Sequence, residues 1–558
     1  MKRLLLATAL LAAPMLAPPS FAKNLAADAP KINPAKLSAH IKVLSSDEFE
    51  GRGPATAGEK KAVGYIVEQM KAIGLSPAGD VQKDGKRAWT QNVPLGKFEI
   101  QGPVNAGVTV GGDKQAWTQG EQIAVRAAMT NVDAVSIKDA PIVFVGYGVK
   151  APERNWDDFK GLDVKGKILV VLINDPDFET GSGDFGGKAM TYYGRWTYKY
   201  EEAARLGAAG VLIVHETAPA SYGWNTVKNS NTNVMFDIVR KEPAKQHPSL
   251  EAWIQRDTAV ELFKKAGLDF DALKKQAQSR DFKPVTLNGA TFSADYKVKH
   301  ETIVSKNIAG RIVGTKYPNE TVIYSGHWDH LGVGAPDARG DKIYNGAVDN
   351  ADGIAGILEL ARAFKSRPAP QRSILFLAVT AEEKGLLGSE YYGANPLFPL
   401  ATTVGDINID ALSAAGPAKD VGTSGDGKVD LQDMLVAKAK LHGRYFTPDP
   451  APQAGHFYRS DHFPFAKRGV PAISIGSGND LVKGGKEAGE KAEQDYTDKR
   501  YHQPADEWSP DWDLSGQAMD LGLVYEIGAD LANSRVWPKW QAGSEFKALR
   551  DKTAAQRK

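Results

Sequence analysis

An α/β fold, with a mostly parallel mixed sheet flanked by helices, is the class this sequence predicts, on three observations. From residue 307 onward, strand-like runs alternate with helical patterns, the order expected of a parallel sheet wrapped by helices. The runs 321–325, 373–380, 403–409 and 470–475 have strand length, and 373–380 is apolar and rich in β-branched and aromatic residues. Several of these runs lead into an acid or a histidine, where α/β sheets carry their reactive groups.

The elements follow in chain order. Lys2-Arg3, an apolar stretch from Leu4 to Leu16 and the small-x-small site Ser20-Phe21-Ala22 read as a secretory signal cleaved after Ala22. Pro14 interrupts that stretch, which is shorter than the ~20 residues a bilayer span needs. From 32 to 75 the pattern is helical, with Leu37, Ile41 and Leu44 on one face and Val63, Ile66, Met70 and Ile73 on another. The segment 45–53 between them, ending Glu50-Gly51-Arg52-Gly53, reads as a loop. After Pro94, short alternating strands rich in glycine are expected to about Gly120. Strands at 141–149, 164–173 and 211–214 and a helix at 198–206 make the block 99–295 a separate β-rich α/β module. The remaining α/β block is then discontinuous, 23–98 and 296–540, with helices at 354–364 and 514–531. The polar tail 541–558 reads as frayed surface.

Composition narrows the function. The chain of 558 residues is 42% hydrophobic and 24% charged, which is ordinary for a globular protein of two or three domains. Its 69 basic residues, two of them in the leader, stand against 67 acidic ones, so the mature chain is close to neutral. Neither nucleic acid nor an anionic membrane is implied as a partner. Cysteine is absent, which removes disulfides, zinc–thiolate sites and thiol catalysis together. Leader and composition point to a periplasmic or secreted protein without a membrane anchor.

The acid pair Glu382-Glu383 follows the run 373–380 directly. Neighbouring side chains of an extended chain point opposite ways, so one acid can hold a metal while the other moves a proton. Around it in order stand His327-Trp328-Asp329-His330, Asp349-Asn350, Asp406-Ile407-Asn408-Ile409-Asp410 and Tyr501-His502. Ser460-Asp461-His462 resembles a hydrolase triad on paper, but consecutive residues do not converge and no Gly-x-Ser-x-Gly elbow is present. It reads as pocket wall or helix start, and His330 as a residue behind the ligands. No Walker or dinucleotide glycine pattern occurs.

Taken together, this ordered pattern closely resembles metallopeptidase family 28, the dinuclear zinc aminopeptidases, over roughly 24–98 and 296–535. The resemblance implies a zinc-exopeptidase fold with two zinc ions per chain, cobalt and manganese being acceptable to the same donors. It implies that His327, Asp349 and Asp410 hold one ion and that Asp349, Glu383 and His502 hold the other, with Asp349 shared. It makes Glu382 the general base and acid acting on a metal-bound water, and it places a non-proline cis peptide at Asp349–Asn350. On that footing Asp329 accepts a hydrogen bond from the far nitrogen of His327, and Tyr501 donates to the developing oxyanion.

The middle block is similar to the protease-associated domain inserted in some members of this family. The matching pieces are Phe144-Val145-Gly146-Tyr147-Gly148, Asp157-Asp158-Phe159-Lys160-Gly161, Val164-Lys165-Gly166-Lys167 and Gly207-Ala208-Ala209-Gly210. Tyr192, Tyr193 and Trp196 of this block are candidates for a substrate-facing wall. The expectation is an exported aminopeptidase acting on peptides. Its rivals are a carboxypeptidase of the glutamate-carboxypeptidase type, a glutaminyl cyclase and a receptor-like ectodomain without catalysis. The carboxypeptidase would need a terminal-carboxylate clamp, for which Arg339, Arg459 and Arg468 are the suppliers.

Overall fold

The computed structural model describes residues 30–557 apart from 426; the expected leader lies outside the described residues. Helix α1 (Pro34–Leu44) buries Leu37, Ile41 and Leu44, and the Asn33 side chain caps it by accepting from the Ala35 and Lys36 N–H groups. Helix α2 (Ala57–Ile73) starts under the Thr56 side chain and stops on Gly74, whose φ of 85° continues no helix. Both pack on α3 (Asp352–Lys365), which is buried nearly all round because sheet and helices cover it.

The strands are β1 (Thr90–Val110), β2 (Ala134–Phe144), β3 (Ile168–Leu172), β4 (Gly210–His215), β5 (Leu250–Gln255), β6 (Val285–Ile312), β7 (Tyr317–His327), β8 (Arg372–Val379), β9 (Thr403–Ile409) and β10 (Ala472–Ser477). The catalytic sheet is parallel at its centre, in the order β8-β7-β9-β10. β6 pairs antiparallel with β8 on one side, and the strand Asp420–Thr423 pairs antiparallel with β10 on the other. Every residue of β8 and β9 is buried, as befits strands covered on both faces. On one face Tyr324 stacks on Phe376 and donates to the Val524 carbonyl of helix α4 (Ser515–Asn533). The chain leaves β7 for β8 on one side and returns to β9 on the other. This reversal opens a crevice at the carboxyl ends of the strands.

Where short strands were expected after Pro94, β1 is a single strand of 21 residues. It pairs along β6, 28 residues long, from Thr90 opposite Ile308 to Val110 opposite Ala290. A partner along the whole length carries the extended chain through glycines that would end a solitary strand. Gly107 is required there: a Cβ would stand 2.2 Å from the Gln115 carbonyl oxygen of the next strand. The same β6 pairs with β2, and β3, β4 and β5 continue the sheet in parallel. Residues 99 and 295 therefore lie within continuous strands, and the middle block shares one sheet with the catalytic one.

Two other expectations are corrected. Tyr192, Tyr193 and Trp196 form no substrate wall; they fill the interior where the middle block meets the catalytic segment. Tyr192 packs on Tyr198, Tyr458 and Phe463, Tyr193 donates to Glu153, and Trp196 lies under the Arg126 guanidinium. The tail after 542 is docked. Phe546 is buried against Trp540, and Arg550 donates to the Thr403 carbonyl at the start of β9. One aromatic and one buried cation are enough to anchor a polar segment. No helix among the described residues is long and apolar enough to cross a membrane.

A chain of buried ions ties the middle block to the catalytic segment. Arg468 binds Glu390, Arg240 reaches Glu390 and Asp237, and His247 lies between Asp237 and Glu251. Burial pulls the His247 imidazole down, but Glu251 and Asp237 prevail and push it up to about 9. This stabilisation is complete below the ordinary 6.5 and is lost as pH rises through about 9. Stability against thermal unfolding is expected to fall between pH 7 and pH 10 by an increment on the order of 3 kcal/mol. In His247→Gln that increment should vanish; an identical pH profile in the variant would contradict the assignment.

Candidate metal centre

Each strand end delivers one part of the site. β7 ends on His327, β8 leads through Thr380 and Ala381 to Glu382 and Glu383, and β9 leads to Asp410. Asp349 stands just before α3, across a cis peptide to Asn350. His502 comes from the far end of the chain, at a φ of 57°. These residues meet within one crevice although the sequence separates them by up to 175 positions.

The distances describe two linked clusters. His327 Nε2 lies 3.2 Å from Asp349 Oδ1 and 3.2 Å from Asp410 Oδ1. His502 Nε2 lies 3.3 Å from Asp349 Oδ2 and 3.2 Å from Glu383 Oε2. Asp349 thus turns one oxygen to each imidazole. The donor atoms of His327, Asp349 and Asp410 fall within 4.8 Å of one another, as do those of His330, Asp349 and Glu383. His330, read from sequence as standing behind the ligands, reaches this second cluster. It is fully buried, and its Nδ1 is 2.6 Å from Glu383 Oε1. Its Nε2 has no hydrogen-bond partner among the described residues.

The electrostatics fit a site that awaits cations. Burial works against charge on Asp349, yet His327 and His502 hold its carboxyl well below the usual range. Burial and Asp349 push Glu383 up, but His330 and His502 hold it down to about 2. Burial draws His502 down, and Asp349 and Glu383 outweigh it, raising the imidazole to about 10. Glu382 goes the other way: burial, then the charges of Glu383, Asp410 and Asp461, push it well up against the pull of His327. Divalent ions would relieve the same crowding of carboxylates.

Side chains behind these groups fix their positions. The Asp506 carboxylate accepts from the Val348 and Asp349 N–H groups at 3.1 Å. Asn350 donates to the Ile409 carbonyl and accepts from the Gly353 N–H, tying the β9 end to the α3 start. Ser460 donates to Asp410 Oδ2 at 2.6 Å and accepts from Asn408 at 2.7 Å. The segment 460–462 is therefore a support for Asp410, with Asp461 buried and bonded to Ser389. The Arg52 guanidinium, fully buried, donates to the carbonyls of Leu44, Trp328, Asn345 and Gly346. It cross-links the loops that present His330 and Asp349.

One expected contact differs. The far nitrogen of His327 lies 3.1 Å from the Asp329 backbone carbonyl, whereas the Asp329 carboxylate stands 3.9 Å away and accepts from the Glu382 N–H. Asp329 thus orients the imidazole through its main chain and the acid pair through its side chain. Tyr501 is half exposed and stacks on the His502 ring at 3.9 Å. Of the arginines considered for a terminal carboxylate, Arg468 is engaged by Glu390, Arg339 by Asp337 and Glu507, and Arg459 by the Ala454 carbonyl. An open cleft of about 690 Å³ adjoins the site on the Asp410 side, lined by Val348, Ala411, Thr423, Asp449, His456 and Tyr496 among others.

Residues 307–525 match Peptidase family M28. Over 109 residues the chain is 32% identical to a probable zinc metalloprotease of Pyricularia oryzae, covering 20% of this chain and 21% of that protein. The match thus spans about a fifth of the length of this curated relative. Among solved structures the chain is similar to the aminopeptidase from Aneurinibacillus sp. strain AM-1, at 20% identity and a TM-score of 0.47, covering 90% of this chain and 95% of that one. It is also similar to a zinc aminopeptidase from Bacillus subtilis, at 19% identity and a TM-score of 0.41, covering 91% and 96%.

Because Ser460 holds Asp410 Oδ2, Ser460→Ala is expected to weaken divalent-ion binding by about 10- to 100-fold, read by competition with a chelating dye. Unchanged affinity in the variant would show that Asp410 needs no such support.

Proposed function

We propose, from the match of residues 307–525 to Peptidase family M28, that this chain is an exported dinuclear zinc aminopeptidase, releasing amino-terminal residues from peptides. The observation that carries the reading is Asp349, whose two oxygens face His327 and His502 separately. The donor set is nitrogen and oxygen only, which suits zinc. His327, Asp349 and Asp410 would hold one ion, and Asp349, Glu383 and His502 the other, with His330 bracing Glu383. When bound, the zinc pair supplies Lewis acidity that acidifies a water and polarises the scissile carbonyl.

This chain's residues then carry the protons. Glu382 Oε2 lies 4.0 Å from His327 Nε2, at the mouth of both clusters and bound to neither imidazole. Its carboxylate takes the proton of the attacking water and delivers it to the leaving amine. That role requires the charged form, which two nearby cations would favour. The Tyr501 hydroxyl donates to the oxyanion as it develops. Glu382 and Asp410 receive the substrate's free α-amine, which places the cut after the first residue. The middle block, read as a protease-associated domain, closes one side of the crevice.

The test is mass spectrometry of products from a mixed peptide pool, with Glu382→Gln in parallel. The wild-type protein should shorten peptides from the amino end only. Glu382→Gln should lose about 10²- to 10⁴-fold in kcat while retaining its zinc. Full turnover in the variant would remove Glu382 from the proton path, and trimming from the carboxyl end would replace the aminopeptidase reading.

A further inference from the structure

A second cavity lies on the Glu383 side of the site. It holds about 220 Å³ and is lined by Pro54, Ala55, Leu95, Lys97, Phe236, Ile303 and Lys384. That exceeds the roughly 150 Å³ of a cavity that accepts benzene. Its apolar floor is part of a small cluster in which Leu95, Phe236 and Ile303 pack with Ala381, the residue before Glu382. Its walls come from five separate stretches of chain. Leu95 and Ile303 face each other across the β1–β6 ribbon, and Phe236 belongs to the strand Met235–Ile238, paired with β1. The loop carrying Pro54 and Ala55 is pinned by Glu59, which accepts from the Ala55 N–H and from Ser305.

The two lysines at its rim differ. Lys97 is paired with Glu301 at 2.9 Å. Lys384 has no carboxylate within ion-pair distance among the described residues; its ammonium stands 5.9 Å from the centre of the Phe236 ring. A half-buried cation in no direct ion pair, over an apolar cup and next to the acid pair, suits a group with an apolar body and an anionic end. We propose that this groove binds the residue on the leaving side of the scissile bond, taking an apolar side chain while Lys384 receives its terminal carboxylate. The preferred substrates are then free dipeptides whose second residue is apolar. The assignment rests on the peptidase reading, and the placement of the larger cleft on the Asp410 side leaves that cleft for the first residue.

The test compares hydrolysis of Leu-Leu, Leu-Leu amide and Leu-Gly by the full chain loaded with zinc. Leu-Leu should be the best substrate, about tenfold above the amide in kcat/KM, chiefly through KM, with Leu-Gly also disfavoured. In Lys384→Met the gap between acid and amide should close, and in Phe236→Ala the gap between Leu-Leu and Leu-Gly should shrink. Equal rates for acid and amide in the wild-type protein would overturn the role of Lys384 without any variant. A gap that persists in Lys384→Met would do the same. Cleavage of none of the three, nor of the peptide pool, would instead overturn the peptidase reading on which this depends.

Discussion

Carboxylates crowded away from water repel one another and must be neutralised, and the site is organised by that demand. Asp349, Glu382, Glu383 and Asp410 converge with Asp329, Asp461 and Asp506 close behind. Burial pushes Asp461 up to about 7 and Asp329 and Asp506 up to about 6, so those behind resist ionisation. In front, His327 and His502 are driven up by the carboxylates they face. Two divalent ions would meet the same demand at lower cost and free the imidazoles to act as ligands.

The sheet order makes this crowding achievable. Four parallel strands bring three separate loops to one edge, and reversal at β7 leaves room between them. Holding the loops takes polar contacts that span the chain. Arg52, near the amino end of the described residues, satisfies the Leu44 carbonyl beside it and three carbonyls of loops hundreds of positions away. Burial draws its guanidinium down to about 10, which leaves it charged at neutral pH. Deleting it would leave buried carbonyls unpaired, at about 1–3 kcal/mol each. Asp506 does the same work for the Asp349 loop through two main-chain N–H groups.

Much of the catalytic block was legible in sequence because strands buried on both faces read as apolar runs. The run 373–380 became β8 (Arg372–Val379), and 403–409 became β9 within the same bounds. The residues that meet in the crevice were legible through their order at strand ends. What escaped was decided by distant partners. The ribbon of β1 and β6 reads as broken segments because its continuity comes from pairing across nearly two hundred residues. Arg52, Ser460 and the side chain of Asp506 act through bonds that leave no local pattern. The unusual Glu50-Gly51-Arg52 turn, with positive φ at all three positions, was the one available signal. His330 lies two positions beyond Asp329, and its closeness to Glu383 depends on how that loop folds under Arg52.

The central claim is that one shared carboxylate joins two cation sites. Counting zinc per chain after dialysis, in the wild-type protein and in Asp349→Asn, tests it most directly. Two ions in the first and fewer than one in the second is the predicted result. One ion in the wild type, or two retained without the Asp349 carboxylate, would contradict it.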